Sequence, residues 1–113
     1  MKEQVLPAEE AILQEDLQGS RGTLHGLNEK AKEAGLWTPH LPKEFGGLGL
    51  GILGMAALFR EMGRSMVGPK VFHCDAPDQG NMDLLLAVGS EAQKERYLRP
   101  LVEARITSAF CMT

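Results

Sequence analysis

Residues 44–51 read Glu-Phe-Gly-Gly-Leu-Gly-Leu-Gly, a run that in nucleotide-binding proteins lets backbone amides close on a phosphate. Here no Gly-Lys-Ser or Gly-Lys-Thr accompanies it, so it is not a P-loop. Nor does it follow a strand or open a βαβ unit, so the dinucleotide fingerprint fails as well. The glycines therefore read as structural, placed for positive φ or close backbone approach between two helices. The histidines, His25, His40 and His73, are scattered, and none stands at a zinc-ligand spacing from Cys, Asp or another His. His73, Cys74 and Asp75 are contiguous, so their side chains diverge in any regular structure. No Ser or Cys has a His partner at a recognisable nucleophile spacing, and there is no G-x-S-x-G elbow. Glu44, Glu61, Asp75, Asp78 and Asp83 read as caps and solvated carboxylates, with Asp78 able to cap the helix that follows it. The residues themselves assign no catalytic group and no metal site.

The elements that would position these groups are helical nearly throughout. Pro7 suits a first helical turn, and Ile12, Leu13 and Leu17 make a narrow stripe over residues 7–18. Leu24, Leu27, Ala31 and Ala34 repeat at helical spacing over 23–34, with Thr23 as cap and Gly35 as the terminating residue. Residues 35–51 hold two prolines and five glycines, which excludes a regular helix. Yet Leu36, Trp37, Leu41 and Phe45 are large and apolar, so this loop must pack.

A third helix is predicted over 52–66, striped by Ile52, Met55, Phe59, Met62 and Met66 and stopped by Gly68 and Pro69. The methionines suit a core wall that adapts to a flexible chain. Residues 77–88 carry Met82, Leu84, Leu85, Leu86 and Val88, apolar nearly all round, which predicts a helix buried on most sides and ended by Gly89. Ser90 and Gln93 form a capping box for a fifth helix with Tyr97, Leu98, Leu101 and Val102 inward and a break near Arg99 before Pro100. Only Ile106 to Met112 has β-like composition. The fold class is all-α: about five helices in a bundle, with one C-terminal strand that has no sheet.

Bulk composition narrows the function classes. The chain of 113 residues is one domain at most, and its net charge of −3 argues against nucleic acid or a polybasic membrane contact. The basic residues Lys94, Arg96, Arg99 and Arg105 are interleaved with Glu91, Glu95 and Glu103, a solvated helix face. Cys74 and Cys111 are too few for a disulfide framework and read as small core residues in a reducing compartment. The N-terminus has no apolar signal region and is acidic and Arg-free, so the expected location is cytoplasmic. No apolar run reaches the roughly 20 residues of a membrane span.

Two features stand outside this account: the apolar loop and the strand without a sheet. Together they resemble the acyl-CoA dehydrogenase family, whose N-terminal helical domain carries "aGLw…lPeeyGGlG" between its second and third helices. This chain has "AGLWTPHLPKEFGGLGL" at 34–50. The family continues with a buried helix, "G(s/t)eeQKerYL", and a strand ending in Thr before Glu-Pro. Here "GSEAQKERYL" occupies 89–98 and "ITSAFCMT" occupies 106–113. The resemblance covers essentially the whole chain and is weakest over 1–22. "APDQGNM" and "FCMT" are most similar to a branch associated with long or unusual acyl chains.

The resemblance implies that residues 1–105 are the helical N-terminal domain and 106–113 the start of a middle β-domain. It implies FAD as cofactor, an acyl-CoA substrate, an electron-transfer partner, a homo-oligomer, and a place in fatty acid β-oxidation. Phe110, Met112 and Thr113 match positions that touch the flavin. Val71, Phe72 and Asp75 match positions near the acyl tail, and an inward Asp75 would suit a polar or hydroxylated substrate. The catalytic base and most of the flavin site would lie outside these residues, so the chain alone is expected to be inactive and to bind FAD weakly or not at all. A different class remains open: a stand-alone helical module for holding a protein partner or a lipid.

Overall fold

A computed structural model describes all residues 1–113. In order they form α1 (Val5–Leu17), α2 (Gly22–Glu33), a 3₁₀ turn (Lys43–Phe45), α3 (Ile52–Met62), α4 (Gly68–Val71) and α5 (Asp78–Val88). A final rod follows, made of α6 (Glu91–Gln93), a π-helical turn (Lys94–Leu98) and α7 (Arg99–Val102). The all-α class holds, but the expected strand does not form: residues 106–113 adopt no regular structure and make no backbone–backbone hydrogen bond. A strand is defined by pairing, and no second strand exists here to pair with.

Local chemistry explains most boundaries. Pro7 falls in the first turn of α1, where its missing N–H leaves no helical carbonyl unserved. The start of α2 is capped from outside. Thr23 does not cap it; its N–H and Oγ1 donate instead to the Glu15 carboxylate of α1 at 2.9 and 2.6 Å. The Thr23 hydroxyl holds the Glu15 carboxyl below its usual range, and a carboxylate suits a helix N-terminus. At the other end, Gly35 takes φ +69° while Leu36 N–H donates to Ala31 O and Gly35 N–H to Lys32 O, a Schellman closure.

α3 stops at Met62 rather than at residue 66, and Pro69 lies in the first turn of α4 instead of terminating a helix. Gly68 is required there, because a Cβ would meet the Met62 carbonyl. The Ser90–Gln93 capping box forms as read. Pro100 does not break the rod. The π turn ahead of it widens the backbone and relaxes the i−4 register that a proline disrupts.

Two apolar clusters result. Val5 and Ile12 of α1, Leu24, Leu27 and Ala31 of α2, and Val67 and Val71 near α4 form the first. Leu41, Met82, Leu98, Leu101 and Val102 form the second, with Phe45, Leu85 and Leu86 against it. Each large side chain buried here contributes roughly 1.5–3 kcal/mol.

Several side chains expected inside are outside. Leu17, Ile52, Met66, Leu84, Val88 and Tyr97 are exposed, as is Cys111, whereas Cys74 is buried. Leu36 is also at the surface. α5 is therefore covered on one side only, by the rod and the loop residue Leu41, and α3 touches little besides α4.

Candidate functional site

The apolar loop is the keystone between the two clusters. Leu41 is fully buried, and Gly47 packs so closely on the Leu41 carbonyl that no Cβ fits. Gly46 and Gly49 take positive φ. The glycine run is thus spent on its own fold, as its structural reading requires.

Trp37 was legible only as an apolar packer, yet its Nε1–H donates to Val102 O at 2.7 Å. Its ring stacks on His73 at 4.8 Å, and His73 Nε2 lies 2.8 Å from Leu101 O. Thr38 N–H donates to Phe72 O at 3.0 Å. This seam ties loop 35–51, the segment after α4 and the end of the rod together. Thr38 and His73 both take left-handed φ, +44° and +56°, a conformation that costs non-glycine residues of order 1–3 kcal/mol and is held by such surroundings.

Cys74 diverges from its neighbours, whereas His73 and Asp75 line one polar cleft. His73 joins the seam, while Cys74 Sγ lies 3.3 Å from His40 Nδ1. Burial pushes the Cys74 thiol up to about 12. Burial also holds His40 below its usual value, with Asp83 opposing at 4.0 Å from His40 Nε2. The pair is a neutral thiol and a neutral imidazole near pH 7. A nucleophilic cysteine requires the opposite shift. No group of three His, Cys, Asp or Glu side chains is arranged to hold a metal ion.

Three clefts surround this framework. One of about 390 Å³ lies between α1, α2 and α4 and is lined by Val71, Phe72, Leu36 and Leu27 among others. A smaller one of about 210 Å³ shares Phe72 and Leu36 and adds Leu58 and Met62. The third, about 570 Å³, is polar: Asn28, Trp37, His73, Asp75, Asp78, Thr107 and Ser108 line it. Val71, Phe72 and Asp75 therefore do not share one cavity. Val71 is 2% exposed and backs the first cluster, Phe72 faces the apolar clefts, and Asp75 faces the polar one. Burial raises the Asp75 carboxyl above its ordinary range.

Its position before a helix offers Asp78 as a cap. It caps nothing, and Pro77 holds the N-cap position. The Asp78 carboxylate instead accepts from Ser108 N–H and Oγ at 2.8 and 2.6 Å. Asn81 Nδ2 donates to Ser108 Oγ at 2.8 Å and to Ala109 O at 3.4 Å. Beyond this tether Phe110 is 66% and Met112 86% exposed, and Thr113 is exposed too. No signal in a single sequence links residues 78 and 81 to 108.

Comparison with known proteins agrees with this architecture. Residues 1–105 match the family profile described as acyl-CoA dehydrogenase, N-terminal domain. The chain is 39% identical over its whole length to acyl-CoA dehydrogenase family member 11 of Homo sapiens, of which it spans 15%. It is 45% identical over 80% of its length to family member 10 of Mus musculus, spanning 9% of that protein. A solved structure assigned as an acyl-CoA dehydrogenase from Mycobacterium abscessus superposes with a TM-score of 0.86 at 43% identity, over 99% of this chain and 31% of that one. A helical core that closes on its own seam, matched over residues 1–105 by the family profile and over 99% of its length by the solved structure, places the chain in the acyl-CoA dehydrogenase family as its N-terminal helical domain.

Proposed function

We propose that these residues form one wall of the acyl-CoA and flavin cleft of an FAD-dependent acyl-CoA dehydrogenase. The reaction converts an acyl-CoA thioester to the trans-2-enoyl thioester. Bound FAD supplies the acceptor for the hydride that leaves Cβ. The Cα proton goes to a carboxylate base that lies outside these residues, and the helical wall excludes water from the cleft in which that poor acid ionises.

Phe110, Met112 and Thr113 are assigned to the flavin side. Their exposure supports this, as does the chemistry on offer: no backbone N–H or C=O of 110–113 has a partner within the chain, and Thr113 adds a hydroxyl. Such an array fits the polar edge of a flat heterocycle. Asp75 is assigned to the acyl side, where a half-buried carboxyl in a polar cleft suits a polar or hydroxylated chain. Phe72, backed by Val71, is assigned to the acyl side as well, through the separate apolar clefts that it lines.

The observation that carries this reading is the 570 Å³ cleft, whose lining includes Asp75 together with Thr107 and Ser108, the residues that lead into Phe110. The apolar side chains left at the surface, Ile52, Leu53, Leu84, Val88, Phe110 and Met112, support a neighbour that covers them. In this reading the chain alone has no dehydrogenase activity and little affinity for FAD, and the enzyme is a homo-oligomer that passes electrons to a protein partner. The test is the mass and visible absorbance of the protein purified from its natural source. A flavin band in a species larger than this chain is expected; a colourless species of this chain's own mass would contradict the reading.

A further inference from the structure

Residues 106–113 make no backbone–backbone hydrogen bond, yet one of them is gripped on every polar atom that faces α5. Ser108 N–H and Oγ–H both donate to the Asp78 carboxylate, at 2.8 and 2.6 Å. The same Oγ accepts from Asn81 Nδ2 at 2.8 Å, and Asn81 reaches on to Ala109 O at 3.4 Å. The proton accounting closes: the hydroxyl gives one hydrogen bond and takes one, the carboxylate takes two, and the amide gives two. Asp78 and Asn81 stand at i and i+3 in the first turn of α5, so one helix face presents both. A carboxylate there is favoured by the helix dipole.

This arrangement is more than a fixed point. In an extended chain, side chains alternate between two faces, and a slip of one residue exchanges the faces for every residue beyond it. Elsewhere in a sheet that phase is set by the neighbouring strand. Within residues 1–113 the grip on Ser108 and Ala109 is what fixes that phase from the helical side.

We propose that Asp78 and Asn81 are positioning residues: they clamp Ser108 and thereby set the phase in which Phe110, Met112 and Thr113 meet the flavin. The clamp rests on observed geometry, whereas the flavin on its far side rests on the function proposed above. The two are separable. Asp78 touches neither substrate nor flavin in this account and acts through the chain at 108–109.

The test compares the ¹⁵N-labelled chain with its Asp78→Ala, Asn81→Ala, Ser108→Ala and Ser108→Thr variants, reading amide exchange and chemical shift at 107–113. Asp78→Ala should speed exchange of the Ser108 amide at least about tenfold, equivalent to about 1.4 kcal/mol. Ser108→Thr, which keeps the hydroxyl and the amide, should restore the native signature. Unchanged shifts at Met82 and Leu98 report that the second cluster is intact, and if Asp78→Ala unfolds α5, Asn81→Ala and Ser108→Ala read the same clamp from its other side. Equal exchange of the Ser108 amide in all variants would overturn the clamp. In the flavin-loaded enzyme, Asp78→Ala should shift the visible flavin bands and Ser108→Thr should not. A clamp present in the chain with flavin bands indifferent to Asp78→Ala would remove the flavin from its far side and leave the clamp standing.

Discussion

Loop 35–51 and tail 106–113 are both apolar and neither is α-helical, but they end in opposite conditions. The loop is irregular and yet pinned: Trp37 donates to Val102 O, Thr38 to Phe72 O, Leu48 N–H to Pro39 O and Gly49 N–H to Leu41 O. The tail has two side-chain tethers, both at 108–109, and then four residues with nothing. Apolar composition alone does not bury a segment. The loop goes inside because its backbone groups find partners there, and an unpartnered buried amide or carbonyl costs about 1–3 kcal/mol.

The sharpest contrast comes from truncating one apolar side chain in each. Leu41→Ala should cost about 2–5 kcal/mol in urea unfolding of the chain, because Leu41 is fully enclosed. A cost near zero would erase the distinction between the segments. Trp37→Phe comes next. It keeps most of the ring and its stack on His73 but leaves Val102 O without the indole donor, at about 1–3 kcal/mol by the same denaturation measurement. Ser90→Ala removes the capping box from the rod that supplies Leu98, Leu101 and Val102 to the loop. About 1 kcal/mol of lost stability is expected. Phe110→Ala should change the stability of the chain by less than about 0.5 kcal/mol, as for other surface positions.

The pinned loop also carries a pH dependence that the tail lacks. His40 is held below its unfolded value of 6.5, chiefly by burial. Above that value both states are neutral there and His40 contributes nothing. As pH falls below 6.5 the unfolded chain takes up a proton that the folded chain resists, so stability declines until the folded pKa is reached. Asp75 works in the other direction: its raised pKa lets the folded state protonate first, which relieves a penalty as pH falls. Glu15, Asp16 and Glu29, held low by their partners, lose stability only below about 4.5, their ordinary range. Unfolding midpoints measured between pH 7 and 5 should therefore fall in the wild type and flatten in His40→Gln. Identical slopes would remove His40 from the account.

Much of the fold was legible because its signals are local. Helical periodicity, the Gly35 closure and the Ser90–Gln93 box each involve residues within one or two turns. What could not be read is set by distant partners. Glu15 caps a helix that Thr23 was expected to cap, because the carboxylate arrives from α1. Leu84 and Val88 look like core residues of α5, but both are exposed, and that helix is buried only where Met82 joins the rod and Leu41. Asp78 looked like a cap for the helix it begins and instead serves a residue thirty positions later. Trp37 carried a usable signal, since a buried indole N–H needs an acceptor, though nothing in sequence named Val102.

The central claim is that the amides of 110–113 are left free by the chain and engaged by a flavin-bearing neighbour. Residue-resolved hydrogen exchange on the chain and on the flavin-loaded enzyme tests it directly. The account predicts that 110–113 exchange at unprotected rates in the chain, beside protected amides at Thr38, Leu41 and Gly49, and that they become protected in the enzyme. Protection of 110–113 in the chain by itself, or none in the enzyme, would contradict it.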